Sequence, residues 1–278
     1  MLRYEIGIVE TRNVIKAILD MYGYDFRDYA LTSFKRRLED TITAYGLKDA
    51  DGLISRIQNN KGFLDHFLKD INPETTEMFR DPSLWRSLRE EILPDIVRST
   101  SKPKIWVGAL DSGEELYSLC IVLKEIDLLD KFNIYSSYIS EETVKKIKGG
   151  KIEPKQHEAN DANYQRSNGV KRYSDYFPQG IGTVMSTFNV DLIDGVTFVK
   201  QDSVFSNPPS SLKLVLFRNQ IIYFNQILQD KVLNKIQDAL VPGGYLVLGV
   251  KESLENTNAN NKFTVTNDAE KIYKKKTG

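Results

Sequence analysis

The chain has 278 residues, 41% of them hydrophobic and 27% charged, with 38 Lys and Arg balanced by 38 Asp and Glu. Zero net charge argues against bulk nucleic-acid binding, which draws its affinity from positive charge. No apolar run approaches the roughly 20 residues of a membrane span, and Met1–Glu10 shows no charged-then-apolar leader. The expectation is a cytoplasmic protein without membrane insertion, built as one large domain or two modest ones. The lone Cys120 lies among Leu119, Ile121 and Val122, so it is expected in the core, and it excludes both an internal disulfide and a cysteine zinc cluster. His66 and His157 sit far apart without other ligands at metal spacing, so no metal is expected.

The first seventy residues read as helices. Val14, Ile15, Ala17, Ile18 and Met21 recur at helical spacing and stop at Gly23. A second helix is expected over Tyr29–Tyr45, with Leu31, Phe34, Leu38 and Ile42 on one face and Lys35, Arg36 and Arg37 decorating the other. A third spans Ala50–Asn59 and a fourth Gly62–Ile71. Thr76–Val97 reads as a helical connector. Strands and helices then alternate: strand Lys104–Ala109, helix Glu114–Asp127, strand Asn133–Ile139, helix Glu141–Lys148, strand Leu212–Phe217 and helix Gln226–Leu240. A Pro242-Gly243-Gly244 turn leads into strand Tyr245–Val250. Such alternation implies an α/β domain with a mostly parallel sheet. Residues 151–200 break the rhythm and read as an insertion of short antiparallel strands. Phe263–Val265 and Ile272–Tyr273 read as edge strands, and Lys274-Lys275-Lys276 as a solvated end.

In an open parallel sheet, ligands bind at the carboxyl ends of the strands. The first strand ends in Gly108-Ala109-Leu110-Asp111-Ser112-Gly113-Glu114-Glu115-Leu116-Tyr117-Ser118. This is either a ligand turn or a glycine turn in which Ser112 caps a helix and two acids complement its dipole. Three further segments bear on the choice: Thr76-Glu77-Met78-Phe79-Arg80-Asp81-Pro82 before that strand, Arg218-Asn219-Gln220-Ile221-Ile222-Tyr223-Phe224 after a later one, and Gly249-Val250-Lys251-Glu252-Ser253-Leu254 near the end. In order and spacing they resemble the CheR family of chemotaxis methyltransferases, across nearly the whole chain. Asp25-Phe26-Arg27-Asp28-Tyr29 and Arg36-Arg37-Leu38 look like its N-terminal helical domain.

The resemblance implies an all-helical domain at 1–72 and a Rossmann-like S-adenosylmethionine-dependent methyltransferase domain at 73–278, with a small antiparallel β-subdomain inserted at about 151–200. It implies methyl transfer to glutamate side chains of chemoreceptor helical bundles, leaving S-adenosylhomocysteine as product. Arg80 matches the arginine that holds the incoming carboxylate, and Tyr223 the tyrosine at the reacting centre. Without the resemblance, Arg80 reads as a surface salt bridge to Asp81 or Glu77, and Tyr223 as packing beside Phe224. The cofactor positions carried over are Glu74, Thr76, Arg80, Gly113, Glu114, Glu115, Tyr138, Asp202, Ser203, Asn219 and Gln220.

Several of these depart from the family. Tyr138 stands where the family has an Asp that accepts the ribose hydroxyls. Glu74 replaces an Asn, Leu110-Asp111-Ser112 a Cys-Ser-Thr turn, Asp202-Ser203 an Asn-Leu pair, and Gln220 a Val near the adenine. Asp111 or Asp202 is a candidate replacement acceptor. Three functions follow: an active glutamate methyltransferase with a rearranged pocket, a non-catalytic partner-binding relative with a degraded one, or a small-molecule methyltransferase. The Lys35-Arg36-Arg37 face is the candidate dock for an acidic receptor helix, against a solvated helix face.

Overall fold

The computed structural model describes residues 4–71, 77–108 and 113–277. Four amphipathic helices open the chain: α1 (Ile8–Tyr22), α2 (Leu31–Ala44), α3 (Ala50–Asn59) and α4 (Lys61–Ile71). Their ends follow local chemistry. Gly23 stops α1 in the left-handed conformation at φ 76°, where a Cβ would be strained. Asp49 starts α3 by accepting from the Gly52 amide at 2.8 Å.

The expected connector helix begins later than its periodicity suggests. It starts at Pro82, whose fixed φ suits a first helical turn, and runs as α5 (Pro82–Ser87), a π-helical turn (Leu88–Ile92) and α6 (Leu93–Ser99). The α/β part then unfolds as β1 (Lys104–Val107), α7 (Glu114–Glu125), β2 (Asn133–Tyr138) and α8 (Glu141–Gly149). Next come β3 (Lys151–Ile152), α9 (His157–Arg166), β4 (Ser186–Thr187), β5 (Thr197–Lys200) and β6 (Leu212–Leu216). The chain closes with α10 (Gln226–Ala239), β7 (Leu240–Val247), β8 (Phe263–Asn267) and β9 (Ile272–Lys275).

One seven-stranded sheet has the order β5-β2-β1-β6-β7-β9-β8. The strands β5, β2, β1, β6 and β7 are parallel, and β9 runs antiparallel between β7 and β8. The chain lays β2 and β5 to one side of β1 and then returns to lay β6 on the other, so the switch point lies between β1 and β6.

Two expectations change here. Pro242-Gly243-Gly244 does not precede a strand; it is absorbed into β7 as an irregularity, with Leu240 opposite Leu212 and Tyr245 opposite Leu214. In the insertion, β3 and β4 do pair antiparallel, but they are two residues each and enclose α9. Thr197–Lys200 belongs to the main sheet, parallel to β2. The sequence His157–Arg166 hides a helix because its polar residues lack an apolar stripe.

The sheet separates two apolar clusters. One joins the N-terminal helices to α10 and one sheet face, through Phe26, Phe34, Phe205, Phe217 and Phe224. The other packs α5, α6, α7 and the insertion on the opposite face, through Trp85, Leu119, Tyr164 and Phe177. Cys120 is fully buried there, and burial pushes its thiol up to about 12, as befits a core residue. Helices α4 and α8 are stapled together: Asp65 accepts from the Glu141 and Glu142 amides at 2.7 and 2.8 Å, and Lys69 and His66 both meet the Glu142 carboxylate. His66 thus serves as a surface contact between the helical bundle and the sheet domain.

Candidate active site

The site is assembled at the carboxyl ends of β1 and β6. Gly108, just past β1, carries no side chain because Phe217 fills that space; a Cβ would meet Phe217 Cδ2 at 2.6 Å. Gly113 introduces α7 at φ 103°, and a Cβ there would strike Ile147 at 2.9 Å. The first turn of α7 then buries two acids, Glu114 and Glu115. Ser112, the capping candidate, and Asp111, the candidate ribose acceptor, lie outside the described residues.

Arg218 follows β6 and ties the site together. It is 1% exposed. Its guanidinium donates to Glu115 at 2.8 Å, to Asp81 at 2.6 Å and to the Arg80 carbonyl at 3.1 Å. A buried arginine between two acids joins the segment before α5, the N-terminus of α7 and the end of β6. Removing one partner of such a group leaves an uncompensated buried charge, at a cost of about 3–5 kcal/mol. This arrangement also bears on the salt-bridge reading of Arg80. Asp81 is taken by Arg218, and the Glu77 carboxylate accepts from Asn163 at 3.0 Å. Among the described residues, the half-exposed Arg80 guanidinium has no ion-pair or hydrogen-bond partner.

The loop after Arg218 is shaped by Glu252. Asn219 is left-handed at φ 56°. The buried Glu252 carboxylate accepts from the amides of Asn219 at 2.8 Å, Gly249 at 2.7 Å and Ile222 at 3.2 Å. Desolvation raises the Glu252 pKa, and those backbone bonds pull it back down. The loop leads to Tyr223, whose carbonyl accepts from the Ala30 amide at 2.7 Å. The Arg37 guanidinium lies over the Tyr223 ring, 4.6 Å from its centroid, and donates to the Ile71 carbonyl at 2.9 Å. Desolvation lowers the Arg37 pKa. The Lys35-Arg36-Arg37 cluster is therefore not one outward face. Arg37 turns inward onto Tyr223, and Lys35 pairs with Glu39 at 3.4 Å.

Asp202 and Ser203 follow β5. One Asp202 oxygen accepts from the Val204 and Ser206 amides at 3.0 and 2.9 Å, so it caps its own turn. The Ser203 carbonyl accepts from the Tyr29 hydroxyl at 3.0 Å, which links this turn to the Tyr29–Phe224 ring contact next to Tyr223. The structure thus brings Arg80, Glu115, Asn219, Gln220, Tyr223 and Ser203 into one connected region. Tyr138, at the end of β2, is different: it lines a groove of about 450 Å³ with Glu141, Val144, Lys148 and Phe198. Glu74 and Thr76 lie outside the described residues.

The donor set suits an adenosyl sulfonium. Ser203 Oγ and Gln220 Nε2, in the loops after β5 and β6, are both buried without a hydrogen-bond partner among the described residues. Buried polar groups of this kind call for a partner, and the edge of a nucleoside supplies one. Of the two buried acids at the head of α7, Glu115 is paired with Arg218, and Glu114 adds a negative charge that favours a positively charged ligand. Sequence reasoning missed Arg218, Glu252, Arg37 and the asparagines of α9. The signal for Arg218 was a charged residue directly after the apolar run Leu214-Val215-Leu216-Phe217, where burial demands pairing.

Residues 10–71 match the CheR methyltransferase all-alpha domain, and residues 74–272 match the CheR methyltransferase SAM-binding domain. The chain is 30% identical over 267 residues to the methyltransferase named Cher3 of Pseudomonas putida, covering 96% of this chain and 97% of that one. It is 23% identical to a chemotaxis protein methyltransferase of Listeria innocua, over 84% of this chain and 86% of that one. It is 27% identical to chemotaxis protein methyltransferase 1 of Pseudomonas aeruginosa, over 79% and 81%. With both domains matched in order, the chain belongs to the CheR family of S-adenosylmethionine-dependent methyltransferases.

Proposed function

We propose that the chain transfers a methyl group from S-adenosylmethionine to glutamate side chains of a chemoreceptor helical bundle. The observation that carries this reading is the Arg80 guanidinium, which has no ion-pair or hydrogen-bond partner among the described residues, beside an Arg218 that is paired with Glu115 and Asp81. An arginine left free there suits a carboxylate, which it can hold through two parallel hydrogen bonds. A glutamate carboxylate has a pKa of about 4.3 and is already ionised at neutral pH, so no general base is required. The cofactor supplies an electrophilic methyl on sulfur. The chain's own residues position the reactants: Arg80 orients the carboxylate, Tyr223 walls the reacting centre under Arg37, and Gly113, Glu114, Asn219, Gln220 and Ser203 hold the nucleoside. Such alignment supplies roughly 7 to 11 kcal/mol in well-oriented reactions. Glu115, neutralised by Arg218, serves the frame.

The test is methyl transfer from labelled S-adenosylmethionine to receptor fragments, scored as label released as methanol in alkali, the signature of a methyl ester. Arg80→Ala is expected to reduce transfer at least a hundredfold while S-adenosylhomocysteine affinity stays within a fewfold. Normal turnover in that variant would remove Arg80 from the role. A second reading, a partner-binding relative without catalysis, is favoured by Tyr138 at the ribose position and by Asp202 being engaged in its own turn. It predicts receptor binding with no base-labile label.

A further inference from the structure

The segment that presents Arg80, Glu77–Asp81, has no regular structure, and its backbone groups are held by side chains. The Met78 amide donates to Asn160 Oδ1 at 2.9 Å, and the Met78 carbonyl accepts from Asn163 Nδ2 at 3.2 Å. The Phe79 amide donates to Ser118 Oγ at 2.8 Å. The Arg80 carbonyl accepts from Trp85 Nε1 at 2.9 Å as well as from Arg218. Phe79 and Asp81 are left-handed, at φ 54° and 58°. A bulky residue stays in that conformation only where its surroundings over-determine it. The Phe79 ring is buried edge-on against Trp85 at 5.7 Å and Tyr164 at 5.0 Å.

Three of these constraints, Asn160, Asn163 and Tyr164, come from α9. Both asparagines are buried and fixed from behind: Asn160 Nδ2 donates to the Tyr173 hydroxyl at 3.3 Å, and Asn163 Oδ1 accepts from Arg166. One residue before α9, Gln156 Nε2 also donates to Glu114 at 3.2 Å. The polar inner face of α9, which hides it from periodicity, thus matches backbone groups rather than apolar ones.

We propose that Asn160 and Asn163 of the inserted helix are positioning residues for Arg80, so that the insertion helps build the carboxylate site. This rests on the reading of Arg80 given above. The two amides do not touch the reactants; they fix the turn from which the guanidinium projects.

The test compares Asn163→Asp with a control on the exposed face of the same helix, Gln165→Ala. The aspartate is isosteric but loses the donor to the Met78 carbonyl and sets a carboxylate beside Glu77. Three readouts are taken: amide hydrogen exchange at Met78 and Phe79, S-adenosylhomocysteine affinity, and methyl transfer alone and combined with Arg80→Ala. The expected result is exchange at those amides faster by tenfold or more, affinity within threefold, and kcat down ten- to a hundredfold. In the Arg80→Ala background, Asn163→Asp should add less than a twofold loss, because both act through one group. The control should match the unaltered chain throughout. Unchanged exchange, or a full multiplicative loss in the double variant, would overturn the proposal. Should the unaltered chain transfer no methyl group, the proposed function falls on that result, and the exchange measurement alone decides whether α9 holds the segment.

Discussion

At the scale of single residues, the site is a contrast between matched and unmatched groups. Arg218 is held by Glu115, Asp81 and a carbonyl, and Glu252 by three amides. Among the described residues, the Arg80 guanidinium, Ser203 Oγ and Gln220 Nε2 have no hydrogen-bond partner. The resemblance sets Tyr138, a phenol at the end of β2, where an acid is expected to accept the ribose hydroxyls. A charged acceptor contributes about 1.5–3 kcal/mol per hydrogen bond, so Tyr138→Asp is expected to tighten S-adenosylmethionine binding about ten- to a hundredfold by calorimetry. No gain would show that the ribose is not bound at this position. The segments that carry Arg80 and Tyr223 stood out in the sequence through their resemblance to the family motifs. Arg37 was not, because a cation in an Lys-Arg-Arg run reads as solvated; only the fold turns it onto Tyr223.

At the scale of elements, the helical bundle and the alternating strands were legible from period and caps, to within a few residues. Helix α9 was not, since its buried face is made of Asn160, Asn163 and Tyr164. Its first residue, His157, packs edge-on against Phe177 at 5.0 Å, and burial lowers its pKa. A histidine kept neutral in the fold but free to protonate when unfolded favours unfolding in acid. The stability it contributes is present above the unfolded value of about 6.5 and is lost as pH falls below it toward the lower folded pKa. Thermal unfolding should therefore show a steeper loss from pH 6.5 downward in the unaltered chain than in His157→Gln. Parallel curves would mean that His157 is not the group responsible.

At the scale of the whole molecule, the site lies where three units meet. The sheet domain supplies the switch point, α2 of the bundle sets Arg37 over Tyr223, and the insertion holds the Arg80 segment. The Tyr29–Phe224 bridge and the Asp65 cap on α8 keep the bundle seated on the sheet domain. Cofactor binding at this junction is the claim on which the proposed function rests. The most direct measurement is isothermal titration with S-adenosylmethionine and with S-adenosylhomocysteine. The structure predicts binding of both with Kd on the order of micromolar, about −8 kcal/mol. No heat of binding at millimolar ligand would contradict a working pocket, and the chain would then act through partner binding alone.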